Sequence, residues 1–218
     1  MTGDYKKRGG AMRIGIDFDN TIICYDRVFN KIGVEKGLVP ESLETGKWFV
    51  KDYLRKMGKE KEWIWLQGYV YGNRLSDAEP YEGIHEFFKY CRMKKIDCII
   101  ISHKTVYPYS GDLYNLHGAA HKWIKEQNFG VETYFELTKE NKVKRITELE
   151  CSLFIDDLPE FLILPGFSEN MTRILFDPIN SYTKSDYGFQ SAASWNEILS
   201  IVKKEFEIYH KDDPAKLR

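Results

Sequence analysis

Six side chains in the 218-residue chain could act together as a reactive set. Asp17 and Asp19 stand two apart in Asp17-Phe18-Asp19-Asn20-Thr21, and Asp156 and Asp157 are adjacent far downstream. Ser102, followed by His103, and Lys142 lie between them. Three or four carboxylates within a few ångströms repel strongly unless a cation joins them. Hard oxygen donors favour Mg2+. A hydroxyl and a lysine bind anions. A cation, an anion site and an in-line carboxylate together describe phosphoryl transfer to an aspartate.

Short apolar runs deliver these residues. Met12 to Phe18, Asp97 to Ile101, Ser152 to Ile155 and Thr172 to Phe176 each read as a buried strand ending in polar residues. Val131 to Leu137 is a weaker candidate. Helical spacings fill the gaps at Gly83 to Lys94, Leu113 to Gln127 and Glu140 to Leu149. A last helix opens at Ser194, with Glu197 at the capping-box position. Alternating strands and helices predict an α/β, Rossmann-like parallel sheet with helices on both faces. Ligands of such sheets bind at the carboxyl ends of the strands, which is where the acids, the serine and the lysine would converge.

The alternation breaks once. From Cys24 to Glu79 no buried strand appears, and Trp48, Phe49, Tyr53, Leu54, Trp63, Trp65 and Leu66 fall at helical spacings. The expected organisation is a leader over 1–11, an α/β core over 12–23 and 80–210, and a small helical insertion over 24–79. Trp48, Phe49, Trp63 and Trp65 are expected to form that insertion's own core.

The order of the motifs matters. Receiver domains of two-component signalling place an acid pair first and the reactive aspartate mid-chain. Here D-x-D-x-T comes first and the Asp156-Asp157 pair last. That order resembles the haloacid dehalogenase (HAD) superfamily, with Asp17 to Thr21 as the first motif, Ser102 the second, Lys142 the third and Ile155-Asp156-Asp157 the fourth. The insertion resembles the family's C1 cap. The stretch from Ser102-His103-Lys104-Thr105 to Trp123 is also similar to that of a subgroup of small members.

The resemblance implies roles. Asp17 is the expected nucleophile, forming an aspartyl-phosphate. Asp19 is the expected acid for the leaving oxygen and base for the hydrolytic water, and its backbone carbonyl would reach Mg2+. The Asp17 and Asp157 carboxylates would complete the protein's ligands, with Asp156 orienting a water or Lys142. Thr21 and Ser102 would hold phosphoryl oxygens, and Lys142 would offset charge on phosphate and Asp17. Lys139 and Lys144 compete for that last role. Lys142 is preferred because Val143, Ile146 and Leu149 form the buried stripe, which leaves Lys142 near the strand ends. Asn20 stands where the family often has glycine, and asparagine tolerates unusual backbone angles.

Each feature has a plainer reading. Asp17 and Asp19 could occupy a surface turn, Asp156 and Asp157 could cap a helix opening at Pro159, and Ser102 could cap the next element. His103 could reach substrate or sit in the loop. His117 and His121 are four apart, a zinc-compatible spacing, but without a third ligand they read as ordinary helix residues.

Composition excludes other classes. The formal net charge is -1, which gives no electrostatic footprint for nucleic acid or an anionic membrane. No apolar run is long enough to span a bilayer, and residues 1–11 lack the apolar stretch of a secretory signal. Four cysteines without a C-x-x-C pair suggest reduced thiols in a cytoplasmic protein. The expected activity is Mg2+-dependent hydrolysis of a small-molecule phosphate monoester, a sugar phosphate before a nucleotide. A phosphotransferase using the same aspartyl-phosphate and a non-catalytic phosphate-ligand binding or regulatory protein are the alternatives.

Overall fold

The computed structural model describes residues 12–182 and 189–211, with side chains to residue 209. The leader 1–11 and the chain beyond 211 lie outside them. In chain order the elements begin with β1 (Arg13–Ile16) and β2 (Ile23–Cys24), followed by α1 (Asp26–Glu35), α2 (Lys47–Lys56) and α3 (Glu60–Gly72). Next come β3 (Glu79–Pro80), α4 (Ile84–Met93), β4 (Asp97–His103), α5 (Leu116–Glu126), β5 (Glu132–Glu136) and α6 (Lys139–Glu148). The chain then forms β6 (Leu153–Asp156), α7 (Pro159–Leu162), β7 (Thr172–Phe176), β8 (Gln190–Ala192) and α8 (Trp195–Lys211).

Six strands form one parallel sheet in the order β5-β4-β1-β6-β7-β8. The four strong strand candidates and the weaker one are all present. β1 is shorter than its apolar run, because the chain turns at Asp17, and β4 is longer, reaching His103. The sequence of crossovers reverses at β1: the chain passes to β4 and β5 on one side, then returns to β6 on the other. Such a reversal opens a crevice at the carboxyl edge. Register places Ile16 beside Ile100 and Ile155, so Asp17, Ser102 and Asp156 emerge at nearly one level.

Alternation sorts the strand side chains onto two faces. Ile14, Ile16, Ile100, Ile155 and Ile174 join one apolar cluster, and Ile99, Ile101, Phe154 and Leu175 join another. The first cluster continues into the helices after β2 through Phe29, Val50, Leu54, Trp63, Leu66 and Val70. These helices occupy the interval that had no strand pattern, and the two-residue antiparallel pair β2 and β3 closes its base.

Several expectations need correction. Trp48 is 58% exposed, so it is not part of the helical core, whereas Trp63 is buried. The reason is position: in α2 the buried face is set by Val50 and Leu54, and Trp48 lies off it. The helix expected from Leu113 starts at Leu116, because Asn115 caps it by accepting the Gly118 N–H at 2.8 Å. The capping spacing at Ser194 is realised: Ser194 Oγ accepts the Glu197 N–H, and Glu197 accepts the Ala193 N–H.

Candidate active site

The turn after β1 is tight. The Thr21, Ile22 and Ile23 N–H groups all point to the Phe18 carbonyl. Asn20 takes φ 59°, a left-handed conformation that asparagine adopts more readily than most residues. The turn buries Asp17 and Thr21 and leaves Asp19 half-buried. The Asp17 N–H donates to the Ile155 carbonyl at 2.9 Å, fixing the turn to β6.

Asp17 is the hub. Its Oδ1 accepts from Ser102 Oγ at 2.8 Å and from Lys142 Nζ at 2.6 Å. Lys142 Nζ also donates to Asp156 Oδ2 at 2.6 Å, so one buried ammonium bridges two buried carboxylates. Lys142 is the lysine brought to the cluster because it lies in the first turn of α6 on the same face as Val143 and Ile146. Lys144 is 73% exposed and pairs with Glu148. Burial pulls the Lys142 ammonium down, but Asp156 and Asp17 outweigh it and its pKa is raised.

Asp156 is the last residue of β6, and its Oδ1 accepts the Leu158 N–H at 2.9 Å. Asp156 does not cap α7, whose N-cap is Leu158 without a side-chain cap bond, but closes the turn that leads into it. Burial raises the Asp156 pKa, Lys142 opposes and Asp17 adds to the rise. Burial, Asp156 and Asp17 together push Asp157 well above the usual carboxylate range. Asp17, Asp156 and Asp157 each offer an oxygen within 4.8 Å of the others. Hard donors at this separation, carrying more negative charge than Lys142 offsets, fit a divalent cation such as Mg2+. The Asp19 side chain is not part of this group.

Asp19 is held elsewhere. Lys104 Nζ donates to its two oxygens at 2.9 and 2.7 Å, and the Tyr25 hydroxyl donates to Oδ1 at 2.5 Å. Burial alone would raise the Asp19 pKa, but Lys104 and Tyr25 reverse the sign and hold it below the ordinary value. Burial, and then the Asp19 carboxylate, push the Tyr25 phenol well up.

Thr21 Oγ1 has no hydrogen-bond partner and is fully buried. Unsatisfied buried hydroxyls are uncommon and ask for a ligand or water. Ser102 and Lys142, from β4 and α6, meet on Asp17 and are groups suited to the oxygens of a tetrahedral anion.

His103 is not brought into this group. Alternation along β4 turns it away from Ser102, and its Nε2 lies 3.1 Å from the Leu137 carbonyl. His117 and His121 face the Phe135 ring, and His117 Nε2 contacts the Lys104 carbonyl at 2.8 Å.

Lys104, Tyr25, Lys47 and Tyr71 were not singled out from sequence. Alternation offered a signal for Lys104, since residues two apart on a strand share a face and Ser102 was already a candidate. Tyr25 stands before α1, and Lys47 and Tyr71 lie on α2 and α3. Only the tertiary fold joins them.

No family model matches the chain, and no curated protein matches it in sequence. Solved structures do match. A HAD-superfamily hydrolase from Ehrlichia chaffeensis aligns with a TM-score of 0.54 at 13% identity, over 88% of this chain and 96% of its own. A HAD family hydrolase from Deinococcus radiodurans, with bound phosphate and sodium, gives 0.53 at 11% identity over 90% and 97%. A predicted phosphoglycolate phosphatase from Haemophilus somnus gives 0.51 at 13% identity over 88% and 98%. The fold is thus the one shared by HAD-superfamily hydrolases, and at these identities the likeness is one of fold.

Proposed function

We propose that the protein is a Mg2+-dependent phosphatase acting on a small-molecule phosphate monoester through an aspartyl-phosphate on Asp17. The observation that carries this reading is the Asp17 carboxylate at the sheet's switch point, oriented by Ser102 and Lys142.

Asp17 attacks phosphorus in line, and the bond to the alcohol oxygen breaks as that oxygen takes a proton from Asp19. Water then attacks phosphorus, gives its proton to Asp19 and releases phosphate from Asp17. Ser102 and Thr21 hold phosphoryl oxygens, and Lys142 offsets charge on them and on Asp17. Mg2+ would be held by the Asp17 and Asp157 carboxylates and the Asp19 carbonyl, with Asp156 beside them, and supplies charge neutralisation for the phosphoryl oxygens. Lys104 and Tyr25 hold Asp19 in place and favour its ionised form, which serves as base in the second step, so the first step draws on its minor protonated form.

Residues 24–79 act as a cap over the strand ends, excluding bulk water and favouring metabolites over phosphoproteins. Sugar phosphates rank first and nucleotides second. No helix among the described residues is long and apolar enough to cross a membrane. The four cysteines are free thiols, in keeping with our placing the enzyme in the cytoplasm. Phosphate release from a mixed panel of esters with and without Mg2+ tests the reading. Release that survives both chelation and Asp17→Asn would refute it.

A further inference from the structure

The helical segment contributes a cation to the cleft that the steps above leave unused. Lys47 begins α2, where its N–H donates to Asp26 Oδ1 at 2.9 Å, tying the start of α2 to that of α1. Its ammonium lies 5.6 Å from the Tyr71 ring, 5.6 Å from Tyr25 and 5.8 Å from Phe29. It is half-buried and forms no ion pair with a described carboxylate. Burial opposes its charge, but the Tyr71 hydroxyl beside it, and after that Asp157 and Asp19, favour the charged form.

The other two buried ammoniums at the site are each held by carboxylates. Lys142 bridges Asp17 and Asp156, and Lys104 grips Asp19. On the reading above, the phosphoryl oxygens meet Ser102, Thr21 and Lys142, all from the sheet side. Lys47 instead comes from α2 and sits over the ring of Tyr25, whose hydroxyl holds Asp19, the acid for the leaving oxygen. Aromatic rings on several sides thin the water around its ammonium and strengthen its attraction for an anion.

We propose that Lys47 is a specificity-determining residue, and that the substrate is a phosphate monoester whose alcohol carries a second anionic group, a carboxylate or another phosphate, near the ester oxygen. This rests on the phosphatase reading and narrows it: a sugar phosphate substrate would be an acid or a bisphosphate rather than a neutral sugar ester.

Matched esters test it. The Mg2+-loaded full chain is assayed on 3-phosphoglycerate against glycerol 3-phosphate, and on glucose 1,6-bisphosphate against glucose 6-phosphate. The first pair reads a carboxylate and the second a phosphate. The wild type should prefer the acidic member of at least one pair by about 10-fold or more in kcat/KM, the scale of a hydrogen bond to a charged group. Lys47→Met should collapse that preference toward parity, and Lys47→Arg should retain most of it. Equal or better use of the neutral members by the wild type overturns the inference and leaves the phosphatase reading standing. Equal loss on both members in Lys47→Met also overturns it, since the lysine would then serve the phosphoryl group. No turnover of any ester, p-nitrophenyl phosphate included, removes the phosphatase reading and this inference with it.

Discussion

Lys104 Nζ spans both carboxylate oxygens of Asp19, at 2.9 and 2.7 Å, across 85 residues of sequence. The pair joins the end of β4 to the turn after β1. Because Asp19 is depressed mainly by Lys104, Lys104→Met should raise its pKa. The acidic limb of the rate for aspartyl-phosphate hydrolysis, which needs Asp19 ionised, then moves to higher pH. A pH profile of kcat for both proteins checks this, and an unmoved limb would show that Lys104 does not set the Asp19 charge.

Thr21 offers effects of opposite sign. Its buried hydroxyl has no partner, so Thr21→Val removes an unsatisfied group at nearly constant volume. Ligand-free stability should stay level or rise, by about 1 kcal/mol. Affinity for inorganic phosphate should fall. Urea unfolding and phosphate titration measure the two, and a stability loss would mean that the hydroxyl is satisfied in solution.

The acid cluster predicts how metal removal depends on pH. In the metal-free fold Asp156 and Asp157 have pKa values above those of the unfolded chain. The unfolded chain therefore gives up these protons first, and metal-free stability falls as pH rises through and beyond the ordinary carboxylate range. Mg2+ offsets that loss, so its stabilising effect should grow from about pH 5 to pH 8. Thermal melts with Mg2+ and with EDTA at both pH values test this, and Asp157→Asn should shrink the difference.

The β4–α5 loop packs on α3 through two glycines. A Cβ on Gly72 would collide with Tyr114 Cβ, and one on Gly68 would lie 2.6 Å from Pro108 Cβ. The same loop starts at Lys104. Gly72→Ala should cost about 1–3 kcal/mol by overpacking, despite alanine's better helix propensity. Denaturant unfolding reads the sign directly.

Much of the site was legible because its residues sit at strand ends. Asp17, Ser102 and Asp156 each follow an apolar run, and parallel pairing brings such ends to one edge. Lys142 could be chosen over Lys139 and Lys144 from the buried stripe of its helix. The helical segment itself was harder to read. Tyr25, Lys47 and Tyr71 come from the approaches to α1, α2 and α3, and no local period marks a polar group that turns inward. The β2 and β3 pair and β8 are too short to show a pattern, and Trp48 looked like core only because it is aromatic.

The central claim is nucleophilic attack by Asp17 supported by a metal. The direct measurement is phosphate release by wild-type protein and by Asp17→Asn, each with Mg2+ and with EDTA, on p-nitrophenyl phosphate and the matched esters. Release by the wild type with Mg2+, lowered about 10^3-fold or more by chelation or by the substitution, is the predicted result. Comparable release by Asp17→Asn would contradict it.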